Sequence, residues 1–123
     1  MKEIGRFNVT REQLDAIFAE GHDGIPVNTM VGCPINVDGF VVYENEDNTK
    51  SLKFFDTQGR DYYTGSQVFI KNFIMYLQTK EDDEFPVTVT VKEGTSQKSK
   101  RKYLTIEEGS AGANNGAWRN MRF

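Results

Sequence analysis

This sequence contains few side chains that could perform catalysis or bind a metal. The chain has one histidine, His22, and one cysteine, Cys33, so a histidine-based metal site or a catalytic triad would have to use His22. Residues 20–24 around it contain two glycines, which is typical of a turn rather than of a rigidly held base. A single cysteine excludes an internal disulfide and a thiolate metal cluster. We therefore expect no catalytic residue, no metal and no cofactor.

The basic side chains are concentrated in one short segment. The net charge of the chain is −3, and residues 1–91 hold 8 basic and 15 acidic side chains. Residues 92–102 instead hold five basic side chains and one acidic one. The five are Lys92, Lys98, Lys100, Arg101 and Lys102. A local positive field can attract phosphate even on an acidic protein, because salt screens charges more than about 8 Å away.

Aromatic side chains accompany these cations on the predicted strands. Nucleic-acid bases stack on exposed rings, which contributes about 1–3 kcal/mol per base. Phe54 and Phe55 are adjacent, so one should point outward, and Phe55 shares its face with Lys53. Arg101 and Tyr103 share a face in the same way, and Tyr103 is the strongest stacking candidate. The predicted nucleic-acid-binding residues are Tyr43, Lys53, Phe55, Arg60, Tyr62, Lys92, Lys98, Lys100, Arg101, Lys102 and Tyr103.

Two helices are expected among the elements that position these residues. Thr10 begins a capping box followed by apolar residues at helical spacing, which predicts a short amphipathic helix over residues 11–20. Ser66 can cap a second helix over residues 67–79, whose apolar residues recur at i, i+3, i+4 and i+7. The first helix is too short to be stable alone, and the second should be largely buried.

The remaining regular segments are predicted strands. They cover residues 30–37, 40–44, 51–56, 87–92 and 101–106, with a short extended piece at 61–63. A turn at Asp38 and Gly39 should separate the first two strands. The order of helix, three strands, helix and two strands is that of an OB-fold, a five-stranded, partly open barrel with a helix between strands three and four. We expect a mainly β (α+β) domain of this type over residues 1–108, with an extra N-terminal helix and a flexible tail over 109–123.

The end of this domain resembles a known family. The alternating strand and lysine-rich loop of residues 87–98, with the returning residues 103–106, resemble the terminal hairpin of the small single-stranded-DNA-binding proteins of protein-primed tailed phages. Residues 54–63 and the helix after them follow the same order, so the likeness covers about residues 29–108. The resemblance implies an OB-like fold and protection of exposed DNA strands during phage or plasmid replication and recombination, without sequence preference.

The tail departs from the wider pattern of replication proteins that bind single strands. Many of those proteins end in an acidic tail with a terminal phenylalanine, whereas here Arg119 and Arg122 precede Phe123. That difference puts the usual docking role of the tail in doubt. Trp118 and its neighbours are candidates for contacting DNA, another copy of the chain or replication proteins.

Two other classes of function compete with this interpretation. The acidic bulk and the Trp118 tail would also suit a protein-binding adaptor, or an inhibitor of a host enzyme, of phage origin. A metal-dependent nuclease could use Glu44, Asp56 and Asp61, but no ligand spacing marks such a site, so we expect a protein that is not an enzyme. No apolar run approaches the ~20 residues that span a bilayer, and the first residues lack a signal-peptide pattern. We expect a location in the (host) cytoplasm and no membrane contact.

Overall fold

One long strand organises the sheet of this protein. The computed structural model describes residues 2–107, and the long strand, β3, covers Pro34–Glu44. The other strands of the described part are β1 (Lys2–Phe7), β2 (Ile25–Pro26), β4 (Lys50–Asp56), β5 (Asp61–Thr64), β6 (Val87–Thr95) and β7 (Lys102–Ile106). The helical elements are α1 (Arg11–Ile17), α2 (Gln67–Leu77) and 3-10 turns at Val27–Met30 and Asp82–Glu84.

The seven strands of residues 2–107 form a single mixed sheet. Its order is β2-β5-β4-β3-β6-β7, and β1 is a further partner of β3. Along one edge β3 pairs with β4, and along the other its first half pairs with β6 and its second half with β1. All these pairs are antiparallel, whereas β2 pairs with β5 in parallel. The sheet curls into a half-barrel, and the prediction of a mainly β fold with two helices is confirmed.

Helix α2 closes the inner face of the curled sheet with aromatic side chains. Phe69 and Phe73 of the helix pack against Phe40, Phe54 and Tyr62 of the strands, and all five are buried. The centroids of the Phe54 and Tyr62 rings are 5.1 Å apart, and those of Phe54 and Phe73 are 5.0 Å apart. Aromatic pairs at such separations add about 0.5–1.5 kcal/mol beyond their buried area. This core fixes β4 and β5 relative to α2.

Helix α1 covers part of the outer face of the same sheet. Its Leu14 and Ile17 form a small separate cluster with Val41 and Phe55. The expectation that Phe55 is exposed is therefore wrong, since only 6% of it is accessible. Strand alternation correctly places Phe54 and Phe55 on opposite faces of β4. The outward face, however, is covered by α1 rather than exposed to water.

Several element boundaries differ from the sequence-based expectations. α1 ends at Ile17 and α2 at Leu77, each two or three residues early, and β1 is a strand that periodicity did not predict. The predicted turn at Asp38 and Gly39 is wrong, because β3 runs through it with a register shift between Val37 and Gly39. Of the helices in residues 2–107, none has the length and apolarity to cross a membrane.

Candidate nucleic-acid interface

The β6–β7 hairpin carries an aromatic ring that packs on the backbone of a glycine in the neighbouring strand. Gly94 and Tyr103 are directly opposite each other in the antiparallel register, as are Lys92 and Thr105, so all four lie on one face. A Cβ atom added to Gly94 would lie 2.5 Å from Cζ of Tyr103, which means that the ring lies over the glycine backbone. Tyr103 is 36% exposed, so one side of a ring supported by the strand is open to solvent.

Two depressions between the hairpin and α2 share Asn72 and Tyr103 in their linings. We call them together the hairpin groove; its principal lining residues are Val68, Asn72, Lys92, Thr95, Ser96, Tyr103 and Thr105. Asn72 Nδ2 donates a hydrogen bond of 2.7 Å to Thr105 Oγ1, which attaches the helix to β7. The open depression beside Val68 and Tyr103 has a volume of about 530 Å³.

The end of the hairpin is rich in cationic side chains. Lys98, Lys100 and Arg101 are exposed in the loop that joins β6 to β7. The loop is closed by backbone hydrogen bonds from Ser96 to Arg101 and from Lys100 to Ser96. Lys102 forms an exposed ion pair with Glu93 at 3.6 Å, and such a pair contributes little stability. The lysine is therefore available to another anion at low cost.

Two residues predicted to contact nucleic acid are instead bound to a carboxylate in the fold. Arg60 Nε donates to Asp56 Oδ2 at 2.6 Å, and Tyr62 Oη donates to the same oxygen at 2.8 Å. Burial, together with the hydrogen bond and the charge of Asp56, raises the pKa of Tyr62 to about 12. Tyr62 is buried, so its predicted role as a stacking platform is wrong.

Lys53 and Tyr43 are half-buried on the outer face, beside the end of α1. The Lys53 ammonium is 5.4 Å from the centroid of the Phe18 ring and 5.7 Å from that of Tyr63, and it donates to the carbonyl of Ile17. Burial lowers the pKa of Lys53, and the charge of Asp61 offsets part of that effect. The Tyr43 ring meets Phe18 edge-on, and burial raises the pKa of Tyr43.

The predicted residues thus divide into two groups. Six lie on the hairpin or its loop, where Lys92 and Tyr103 line the hairpin groove and Lys102 points to the opposite face of β7. The other five belong to β3, β4, β5 and the turn between the last two. Sequence reasoning missed Val68, Asn72 and Gly94, which support or line the hairpin groove. It also favoured Tyr62 over Tyr63, although Tyr63 is opposite Lys53 in the β4–β5 register and is 41% exposed. Residues paired across two neighbouring strands lie on the same face of the sheet, so pairing Lys53 of β4 with its neighbour on β5 would have identified Tyr63.

The histidine and two of the three carboxylates considered for catalysis, Asp56 and Asp61, have partners in the fold. His22 Nε2 lies 2.9 Å from Asp61 Oδ2, which ties its loop to β5. Gly24 packs so closely on Asp61 that a Cβ would lie 2.6 Å from that carboxylate oxygen. Asp56 is the acceptor for Arg60 and Tyr62 described above. Within residues 2–107, no three His, Cys, Asp or Glu side chains are grouped to hold a metal ion.

Comparisons with models of protein families, with curated proteins and with solved structures find no match to this chain. The resemblance of residues 29–108 to phage single-stranded-DNA-binding proteins therefore stays a prediction from the sequence. The predicted roles of Trp118, Arg119, Arg122 and Phe123 lie outside the described residues.

Proposed function

We propose that this chain binds single-stranded DNA, without sequence preference, through the hairpin groove of an OB-like fold. The observation that carries the proposal is the Tyr103 ring, supported on Gly94 and open on its other side, with Lys92 on the same strand face. The order of β3, β4, β5, α2, β6 and β7 agrees with the OB arrangement, in which a helix follows the third strand.

Base stacking would supply the part of the affinity that requires unpaired bases. Tyr103 has its ring held by the strand below it, so little conformational freedom is lost when a base covers it. Every base has a flat aromatic face, so stacking on tyrosine discriminates little between sequences. In a duplex these faces are covered by neighbouring base pairs. The groove therefore favours single strands over double strands.

Electrostatics would direct the strand to the hairpin and its loop. Residues 92–102 carry a charge of +4, whereas residues 1–91 carry −7. Phosphates are attracted to the first region and repelled from the second, so the uneven distribution orients the encounter. Coating exposed strands in this way suits the protection of DNA during phage or plasmid replication and recombination.

The first prediction is a steep loss of affinity as salt rises. Four cations of the hairpin and its loop, Lys92, Lys98, Lys100 and Arg101, are exposed and can contact phosphates. Neutralising four phosphates of a single strand gives a logarithmic slope of about −3, or about 50-fold weaker binding between 50 and 200 mM salt. Fluorescence anisotropy with a labelled oligothymidine measures the slope. Absence of binding at low salt would contradict the proposal.

Substitution of Tyr103 isolates the stacking contribution. Tyr103→Ala should weaken binding about 10-fold, because it removes one base platform, while Tyr103→Phe keeps the ring and should bind like the unaltered protein. Thermal unfolding of both variants serves as the control, since a half-exposed side chain should contribute little to stability. Equal affinities for the alanine and phenylalanine variants would exclude stacking at this position.

Gly94→Ala tests whether the support of the ring matters. The new methyl group would overlap the Tyr103 ring, which is the movable end of a side chain, so the ring should shift while the strand stays paired. We expect binding to weaken several-fold. Combining Gly94→Ala with Tyr103→Ala should cost no more than Tyr103→Ala alone, because both changes act on the same contact. Additive losses in this double-mutant cycle would show that Gly94 acts independently of the ring.

A further inference from the structure

We infer that a groove between β2, β5 and β7 binds residues 118–123 of the same chain, with the indole of Trp118 seated in it. This groove shares no lining residue with the hairpin groove, so the inference does not depend on DNA binding. It describes an interaction surface whose partner is a segment of this chain. Trp118 is the only tryptophan of the sequence, which makes the contact directly measurable.

The groove lies where the two ends of the curled sheet approach each other. We call it the seam groove, because both Pro26 of β2 and Leu104 of β7, the end strands of the sheet order, line it. It has a volume of about 550 Å³, and none of its lining residues is charged. The ring of Tyr63, 41% exposed, also lines it. An uncharged groove with an open aromatic ring suits a large apolar side chain.

The described chain ends close to this groove. The amide of Glu107 donates to the carbonyl of Thr90 on one edge of β6, while the carbonyl of Val91 accepts from the amide of Gly32. Val31 also forms a bridge with Val91, and it directly follows the 3-10 turn that lines the groove. Segments on either edge of one strand are about 10 Å apart. Residues after Glu107 therefore start beside the elements that form the seam groove.

The following residues are long enough to reach the groove. Trp118 comes 11 residues after Glu107, and an extended segment of that length spans about 36 Å. A domain of about 100 residues has a radius of gyration of only about 13 Å. Trp118 can consequently reach the seam groove of its own chain without a second copy.

Polarity and charge favour the seam groove over the hairpin groove as the site for this segment. A buried indole N–H requires an acceptor, and the side chains of Asn28 and Thr29 line the seam groove with oxygen atoms. Arg119 and Arg122 are the charged side chains of residues 109–123. Residues 1–91, which supply seven of the eight lining residues, carry a charge of −7 and attract them, whereas the hairpin segment 92–102 carries +4 and repels them.

The fluorescence of Trp118 tests the inference in the full chain. Its emission should lie at shorter wavelength than that of a synthetic peptide of residues 109–123, and acrylamide should quench it several-fold less efficiently. Neither property should change on dilution, because the contact forms within one chain. Emission and quenching like those of the peptide would overturn the inference. Protection that disappears on dilution would overturn it too, since the groove would then bind a second copy.

Substitution of Tyr63 locates the contact. Tyr63→Ala removes the open ring of the groove and should raise the quenching of Trp118 toward the peptide value, whereas Tyr63→Phe should retain the protection. Tyr103→Ala is the matched control, because it removes a ring of similar exposure, 36%, outside the seam groove. If Tyr103→Ala exposes Trp118 and Tyr63→Ala does not, the segment packs on the hairpin and the inference is wrong. Unchanged quenching in both variants would also contradict it.

Gly65→Arg provides a second test that removes no contact from the fold. A Cβ atom at Gly65 would meet nothing within 4 Å, and its backbone does not adopt a positive φ, so the variant should fold. The new side chain would fill part of the seam groove and repel Arg119 and Arg122, and Trp118 should then be quenched as in the peptide. Gly65→Ala should keep the protection. Protection that survives Gly65→Arg would overturn the inference, even if Tyr63→Ala fails to fold.

Discussion

Replacing Asp56 by alanine should lower the free energy of unfolding by about 3 kcal/mol, because several hydrogen bonds to a buried charge are lost together. Asp56 is buried at the end of β4, where the chain turns into β5. Its Oδ1 accepts hydrogen bonds from the backbone amides of Gln58 and Arg60, each at 2.9 Å. Its Oδ2 accepts from the side chains of Arg60 and Tyr62. Urea denaturation measures the loss directly.

Matched substitutions separate the contributions to this cluster. Tyr62→Phe removes one buried hydroxyl and should cost about 1 kcal/mol. Arg60→Ala should cost less than Asp56→Ala, since the arginine side chain is largely exposed and the backbone amides keep their acceptor. An Asp56→Ala protein as stable as Arg60→Ala would contradict the view that the carboxylate organises the turn.

The Asp56 cluster also predicts how stability changes with pH. Burial acts to raise the pKa of Asp56, but the hydrogen bonds from Tyr62 and Arg60 outweigh it, and the net effect is a pKa below the usual value. A lowered folded-state pKa contributes stability above the unfolded value of about 3.9, and that stability is lost as pH falls through the folded value. Unfolding free energies below pH 4 should therefore fall less steeply in Asp56→Ala than in the unaltered protein.

The Asp56 cluster shows what the sequence alone leaves undetermined. Arg60 and Tyr62 look like nucleic-acid contacts, because a cation and a ring flank a turn on predicted strands. Their common partner is a carboxylate four and six residues away, and only the β4–β5 turn brings the three groups together. Residue type and spacing did not distinguish a ligand site from a structural ion pair.

Local patterns predicted the elements that depend on local interactions. The Thr10 capping box is present, with Gln13 donating to and accepting from it, and the Ser66 cap is formed as expected. The alternating strand at β6 and the cationic loop after it were also predictable. Burial of Phe55 was not predictable, since it depends on where α1 packs. Ile17 and Leu14 of that helix lie 38 and 41 residues before Phe55 in the sequence. Periodicity identifies a face of a strand but not what covers it.

Gly39 illustrates the same limit in the backbone. Asp38 and Gly39 form a sequence typical of a tight turn, yet β3 continues through them. The chain at the end of β1 packs directly against Gly39. A Cβ on Gly39 would lie 2.5 Å from the carbonyl oxygen of Asn8 and 2.9 Å from that of Phe7. Asn8 Nδ2 also donates to the Asp38 carbonyl at 2.9 Å. The glycine is needed for close approach of another strand, which no local pattern reveals.

Gly39→Ala should therefore lower the free energy of unfolding by about 3 kcal/mol, near the upper end for overpacking. The neighbouring atoms belong to the backbone, so no side chain can rotate away, and β1 must separate from β3 to admit the methyl group. Gly65→Ala is the matched control, because its new Cβ meets nothing, and it should be neutral or slightly stabilising. Hydrogen exchange should show faster exchange in β1 of Gly39→Ala. If the two alanine variants are equally stable, the backbone at the end of β1 does not approach Gly39 this closely in solution.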